Sequence, residues 1–281
     1  MNYRHSFHAG NFADVMKHAL LARVLLHLCA KDTPFRVIDT HAGSGRYNLG
    51  SDDAARTGEW HEGIGRLMAL AIPAEIEALL APYFSCAKPL LAEKPPRYPG
   101  SPAIVQALTR RQDRLSFIEL HQHDFRKLQG VLAGDRRAKA LCLDAWTAWN
   151  AQVPPPERRG LVLVDPPFEQ PDDFARMVAG LVSSHKKWPG GTVMLWYPVK
   201  NPRNVNAFHA ALQETGIRKI LCCELYVDRI DTDGPLAGSG LILINPPWTL
   251  KPEADALLAF FAGCLSRGGW SGWRSEWLVP E

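Results

Sequence analysis

Seven short runs dominated by Val, Ile and Leu alternate with longer helical patterns, and this alternation constrains the fold more than any other feature. The runs are 35–40, 114–119, 138–143, 160–164, 192–197, 218–226 and 240–244. Helical patterns occupy 12–31, 102–112, 122–133, 172–187, 203–215 and 252–266. Runs this short and this apolar suit strands covered on both faces. Their alternation with helices predicts a mainly parallel, doubly wound α/β sheet of seven strands. Asn11 is placed to cap the first helix, with Asp14 three residues on as a weak capping box.

One interval breaks the rhythm. Roughly seventy residues separate the first run from the second, where a crossover needs about a dozen or somewhat more. Within it, 59–71 and 74–87 read as helices, followed by Pro-rich "EKPPRYPGSP" at 93–102. A small helical subdomain, approximately 50–95, is therefore expected as an insertion within one domain spanning 1–281. It would emerge beside the loop after the first strand and is expected to contact the substrate.

That loop, "VIDTHAGSGRYNLG" (37–50), places Asp39 at a strand end and Gly43 and Gly45 in a tight turn. Glycines there let a ligand approach the backbone at the carboxyl edge of a parallel sheet. The dinucleotide fingerprint G-x-G-x-x-G fails, because its third glycine would fall on Asn48. The remaining pattern matches the turn beside the amino-acid end of S-adenosylmethionine. Two further strand ends carry acids. Glu119 is placed to accept from ribose hydroxyls, and Asp144 to accept from an adenine amino group.

The run at 160–164 ends in Asp165-Pro166-Pro167-Phe168, and the run at 240–244 ends in Asn245-Pro246-Pro247-Trp248. An exocyclic amino group on a base is a poor nucleophile, because its lone pair is delocalised into the ring. A carboxylate or amide oxygen and a backbone carbonyl can hold both N–H hydrogens and aim that lone pair. Prolines stiffen the chain and leave their carbonyls free to accept. An aromatic offers a face to a base taken out of its stack. In a doubly wound sheet Asp165 should lie beside the first strand and its glycine loop, whereas Asn245 should lie toward the far edge. The Asp165 copy is the expected catalytic one.

The N-terminal "YRHSFHAGNFADVMKH" (3–18) offers Tyr3 for base stacking, and Arg4 and Lys17 for phosphates or base edges. Its histidines lack a recognisable metal-ligand spacing, so no metal is expected. Six cysteines without a C-x-x-C pair read as reduced thiols of a cytoplasmic protein. No stretch has the length and apolarity of a membrane span, and no membrane association is expected. The formal charge of +3 permits a polyanionic partner without demanding one. The basic clusters at 109–114, 134–140, 157–159 and 200–203 are read as solvated faces.

Together "YRHSFHAGNFADVMKH", "DTHAGSGRYNLGS", "RYPGSP", "RRGLVLVDPPFE", "GIRKILCCEL" and "INPPW" resemble the bacterial 23S rRNA adenine-N6 methyltransferase J family over the whole chain. The resemblance implies a Rossmann-like class I S-adenosylmethionine-dependent methyltransferase fold carrying the helical insertion. It implies S-adenosylmethionine as cofactor and S-adenosylhomocysteine as product. The implied partner is 23S rRNA, as protein-poor RNA or an early assembly intermediate, met by a monomer. By motif position His18, His41, Ser101, Glu119 and Asp144 would line the cofactor site, Asp165 would be catalytic and Tyr3 would touch RNA. Phe168 stands where the family often has Tyr, and Ala145 where Gly is usual. Two other functions remain open on these residues. One is an inactive methyltransferase-fold RNA-binding assembly factor, and the other an amino-methyltransferase acting on DNA.

Overall fold

The structure is a computed structural model that describes residues 4–281. Among the described residues ten strands form: β1 Arg36–Asp39, β2 Arg46–Asn48, β3 Arg97–Pro99, β4 Arg114–Ile118, β5 Ala138–Leu141, β6 Gly160–Val164, β7 Thr192–Val199, β8 Ile220–Tyr226, β9 Gly238–Ile244 and β10 Gly272–Val279. The helices are α1 Phe12–Cys29, α2 Asp52–Thr57, α3 Arg66–Met68, α4 Ala74–Leu91, α5 Ser101–Leu108, α6 Gln122–Leu132, α7 Ala145–Gln152, α8 Asp173–Lys187, α9 Pro202–Glu214 and α10 Leu250–Cys264. Eight strands build one sheet in the order β10-β8-β9-β7-β6-β1-β4-β5, and β2 pairs with β3 alone. The five strands β5, β4, β1, β6 and β7 are parallel, while β9 runs against both β7 and β8.

All seven aliphatic runs are strands of the main sheet, but the sheet has eight. The extra strand, β10, reads "GWRSEWLV" and is an edge strand paired only with β8. Its alternating tryptophans and polar residues, half-exposed on the edge, carry no aliphatic run. Helices α7 and α2 were likewise too short to show a period, and 61–65 is a π-helical turn leading into α3.

Two apolar layers cover the sheet. Side chains of α1, α5, α6 and α10 close one face, and those of α7, α8 and α9 close the other. Helix α1 buries fourteen of its eighteen residues. A helix apolar nearly all round must be covered on all sides, and α4, α5 and α10 pack around α1. Truncating Leu20 or Leu25, both fully buried, to Ala would cost about 2–5 kcal/mol. Asn11 does cap α1, accepting from the Asp14 amide at 3.0 Å. The reciprocal half of a capping box is not made, because the Asp14 carboxylate turns to Gly10 and His5 instead.

The β2–β3 ribbon brackets residues 49–96, so both ends of that excursion return to the glycine loop. Among the described residues, no helix is long and apolar enough to cross a membrane.

Candidate active site

Because β1, β4, β5 and β6 are parallel and in adjacent positions, Asp39, Glu119, Asp144 and Asp165 emerge along one edge of the sheet. A cavity of about 650 Å³ opens there. That volume lies within the usual range for a small-molecule site. Of the residues singled out from the sequence, Lys17, His18, His41, Gly43, Ser101, Glu119, Asp144, Ala145, Asp165, Pro166 and Pro167 all line it.

Others fall elsewhere. Gly45 does not line the cavity. Its carbonyl accepts from the Gly100 amide, and a Cβ on it would press on Leu128 and Val131 of α6. Phe168 is half-buried at φ +52° and packs against Phe174 at 4.8 Å and Trp196 at 5.8 Å, outside the cavity lining. Arg4 is exposed in extended backbone and does not line the cavity either. Tyr3 lies outside the described residues.

Asn245 ends β9, which sits between β7 and β8 rather than toward the far edge. Since β9 is reversed, Ile244 pairs with Val193 at the start of β7, and Asn245 emerges at the opposite edge from Asp165. There its amide donates to the carbonyls of Pro189 and Gly191, at 2.7 and 3.0 Å. The second copy of the motif is a turn clamp.

At the first copy, Lys17 Nζ donates to Asp165 Oδ2 at 2.5 Å and lies 2.9 Å from Asp14 Oδ1. Asp14, which the sequence offered only as a capping residue, is the buried hub. Its Oδ2 meets His5 Nε2 at 2.8 Å and accepts from the Gly10 amide at 2.9 Å. Burial alone would push the Asp14 carboxyl up, but the charges of His5 and Lys17 hold it well below the usual carboxylate range. The Lys17 ammonium is desolvated too, yet the two carboxylates raise its affinity for its proton. One ammonium bridges two carboxylates, and Asp165 Oδ1 keeps no protein partner among the described residues.

The neighbouring imidazoles are neutral. Burial lowers His18 to about 3, and its Nδ1 lies 2.8 Å from the Tyr98 hydroxyl. Burial likewise lowers His41 to about 4, against the attraction of Asp165. Its Nδ1 lies 2.8 Å from the Thr40 hydroxyl and 3.4 Å from the Asp165 amide. The N-terminal histidines thus serve carboxylates and a phenol: His5 on Asp14, His8 on Glu59, His18 on Tyr98.

The glycine turn is built for a close approach. Gly43 has φ +61°, and a Cβ there would lie 2.2 Å from the Tyr47 hydroxyl. Its amide donates to Glu119 Oε2 at 2.8 Å, while the His121 amide donates to Oε1 at 2.6 Å. Glu119 therefore ties the turn after β1 to the turn after β4. Asp144 Oδ1 caps α7 through the Thr147 amide. Asp39 is fully buried, accepts from the Ser101 hydroxyl at 2.7 Å, and is raised by burial to about 7. Trp146, T-shaped against His41 at 5.6 Å, and Arg176, stacked over Trp146 at 5.1 Å, complete a wall the sequence did not reveal.

Parallel strands in the order β5-β4-β1-β6-β7, closed by a β9–β8 pair in which β9 is reversed, with the cavity over β1, β4, β5 and β6, define a class I methyltransferase fold. A family profile described as "Ribosomal RNA large subunit methyltransferase D, RlmJ" matches residues 32–279. The proteins named ribosomal RNA large subunit methyltransferase J from Escherichia coli (strain K12) and from Haemophilus influenzae are 41% and 40% identical to the chain, over 100% of both sequences in each pair. The crystal structure of a protein from Legionella pneumophila superposes with a TM-score of 0.87 at 32% identity, covering 96% of this chain and 98% of that one. The chain belongs to the ribosomal RNA large subunit methyltransferase J family.

Proposed function

We propose that the chain transfers the methyl group of S-adenosylmethionine to the exocyclic N6 amine of one adenine in 23S rRNA, releasing S-adenosylhomocysteine. The observation that carries this reading is Asp165, with one oxygen pinned by Lys17 and the other open to the cavity.

The residues present fit the cofactor. Glu119 and Asp144 keep lone pairs free on the strand ends where ribose and base would lie, and Ser101, His18 and His41 line the same cavity. Asp165, an acidic side chain lining the cavity, suits a sulfonium. Ala145 is buried at the start of α7 and lines the cavity. When bound, the cofactor supplies an activated methyl on sulfur.

The chain's own residues do the rest. Asp165 Oδ1 and the Pro166 carbonyl accept the two amine hydrogens and turn the lone pair toward the methyl. Lys17 fixes the carboxylate's orientation, so the acceptor is organised before the substrate arrives. Phe168, braced by Phe174 and Trp196, offers its remaining exposed surface to the target base. No strong base is required, because the nitrogen becomes cationic and acidic once methylated, and Asp165 can take the proton then. Tyr3 and Arg4 are assigned to the RNA side, with protein-poor RNA or an early assembly intermediate as substrate for a cytoplasmic monomer. Lys17, expected there from the sequence, is buried between Asp14 and Asp165 and acts on Asp165 instead. Residues 50–95 are taken as a helical subdomain inserted in a single domain.

The test is incubation with S-adenosylmethionine and protein-free 23S rRNA lacking the modification, followed by digestion to nucleosides and mass spectrometry. N6-methyladenosine is the expected product. Cofactor binding without a methylated adenine in RNA, but with one in DNA, would move the substrate to DNA. Neither cofactor binding nor product would leave an assembly factor on a methyltransferase fold.

A further inference from the structure

Residues 5–11 reach the cavity through His5 and Ser6, yet four side-chain bonds hold this segment from outside it. The Ser6 hydroxyl donates to Asp53 Oδ2 at 2.7 Å, and the Thr57 hydroxyl donates to the Phe7 carbonyl. Glu59 Oε1 lies 2.9 Å from His8 Nδ1, and Glu59 Oε2 accepts from Asn11 Nδ2 at 2.9 Å. The three outside partners, Asp53, Thr57 and Glu59, fall within residues 53–59, just after the β2 strand. No residue between 50 and 95 lines the cavity.

Glu59 differs from the other two because it holds two residues at once, and one of them is the cap of α1. With its Nδ2 drawn to Glu59, the Asn11 amide must present Oδ1 to the Asp14 amide, which is the bond observed at 3.0 Å. The first two turns of α1 carry Lys17 and His18 to the cavity, with Asp14 behind Lys17. The His8 contact fixes the loop on the other side of Asn11. Burial would push the Glu59 carboxyl up, but the His8 and Asn11 bonds bring it below its ordinary value, so an ionised carboxylate makes both contacts. The backbones are in contact as well. The Ile64 amide donates to the Gly10 carbonyl at 2.9 Å, and a Cβ on Gly63 would lie 2.2 Å from that oxygen.

We propose that Glu59 is a positioning residue for methyl transfer. Its carboxylate fixes His8 and Asn11 together, and so sets where residues 5–11 and the first turn of α1 stand against the reacting groups. The proposal rests on the reading that the cavity methylates an RNA amine. A group that never touches substrate can still govern the rate, since a misplacement of about 1 Å at the reacting centre costs on the order of a hundredfold.

Glu59→Ala and Glu59→Gln in the full chain test this, with amide hydrogen exchange and rRNA methylation kinetics measured on each. Exchange at the Ala9 and Asn11 amides, which bond to the His5 and His8 carbonyls, should accelerate in Glu59→Ala. Exchange in β1, β4 and β6 should not. The kcat/KM for 23S rRNA should fall by about ten- to a hundredfold. Glu59→Gln keeps atoms able to bond both partners and should stay within about threefold of wild type. Adding His8→Ala to Glu59→Ala should cost less than it does in wild type, because the two act as one unit.

A folded Glu59→Ala with wild-type kcat/KM would overturn the proposal, whether or not local exchange rises. A fall in melting temperature with unchanged turnover per folded molecule would overturn it too, as a purely structural role. If wild type itself methylates no RNA, the functional reading fails. The exchange data then still decide whether Glu59 holds the segment.

Discussion

Lys17 Nζ lies 2.5 Å from Asp165 Oδ2 across 148 residues of chain, and the same ammonium reaches Asp14 one turn back on its own helix. The cation is 5% exposed, so the pair sits where removal of one partner leaves uncompensated charge. Breaking a buried pair costs about 3–5 kcal/mol. Lys17→Met should therefore lower the unfolding free energy by about that amount in urea titrations, and should abolish methylation at temperatures where the variant is still folded. An equally stable Lys17→Met would mean that Asp14 and Asp165 relax to solvent.

The two Pro-Pro motifs make opposite forecasts. Asp165→Ala should reduce kcat by on the order of a hundred- to a thousandfold, the size of losing one preorganised charge-stabilising group. Asp165→Asn should fall between that variant and wild type, since an amide oxygen can still accept while the Lys17 charge loses one of its two carboxylates. Asn245→Ala should keep activity within about threefold but lose roughly 1–3 kcal/mol of stability, because two carbonyls lose their donor. Steady-state kinetics beside denaturant unfolding separate the two cases.

Expected placement, not chemistry, selected Asp165 over Asn245 in the sequence, and the sheet position expected for Asn245 was wrong. Its strand lies inside the sheet, and what removes it from the site is strand direction, which an aliphatic run does not encode. Glu119, Asp144 and Asp39 were legible because they follow apolar runs directly. Asp14 was not, since its partner His5 precedes the helix and its partner Lys17 looks like any helical lysine. The basic clusters also changed meaning. Arg110, Arg137 and Arg159 donate to carbonyls at the carboxyl ends of α1 and α5 and in the turns beyond them, so part of what reads as a solvated face is helix capping. Charge is visible in a sequence; a carbonyl waiting for it is not.

Gly43→Ala meets two obstacles at one atom. Its φ of +61° disfavours any Cβ, and that Cβ would fall 2.2 Å from the Tyr47 hydroxyl. Tyr47 must swing, and with it the ring set 4.9 Å from His5. The substitution should cost about 1–3 kcal/mol of stability and weaken S-adenosylmethionine binding at least about tenfold by calorimetry. Normal binding would show that the turn can shift without disturbing the Gly43–Glu119 bond.

Stability should fall on acidification from about pH 6.5 toward pH 4, and the cause is the pair of neutral buried imidazoles. His18 at about 3 and His41 at about 4 are depressed by burial relative to 6.5 in the unfolded chain. The unfolded state therefore binds more protons throughout that interval. Each imidazole adds a slope of up to about 1.4 kcal/mol per pH unit. Asp39 works in the other direction. Burial raises it from 3.8 to about 7, so its contribution is present at low pH and lost as the pH rises through 7. Asp39→Asn removes that opposing slope. Urea unfolding from pH 5 to pH 8 should thus show a steeper rise of stability with pH in Asp39→Asn than in wild type, and a shallower one in His18→Gln. Parallel curves for wild type and Asp39→Asn would mean that the Asp39 carboxyl stays ionised across this range, held by Ser101 and the His41 amide against the cost of its burial.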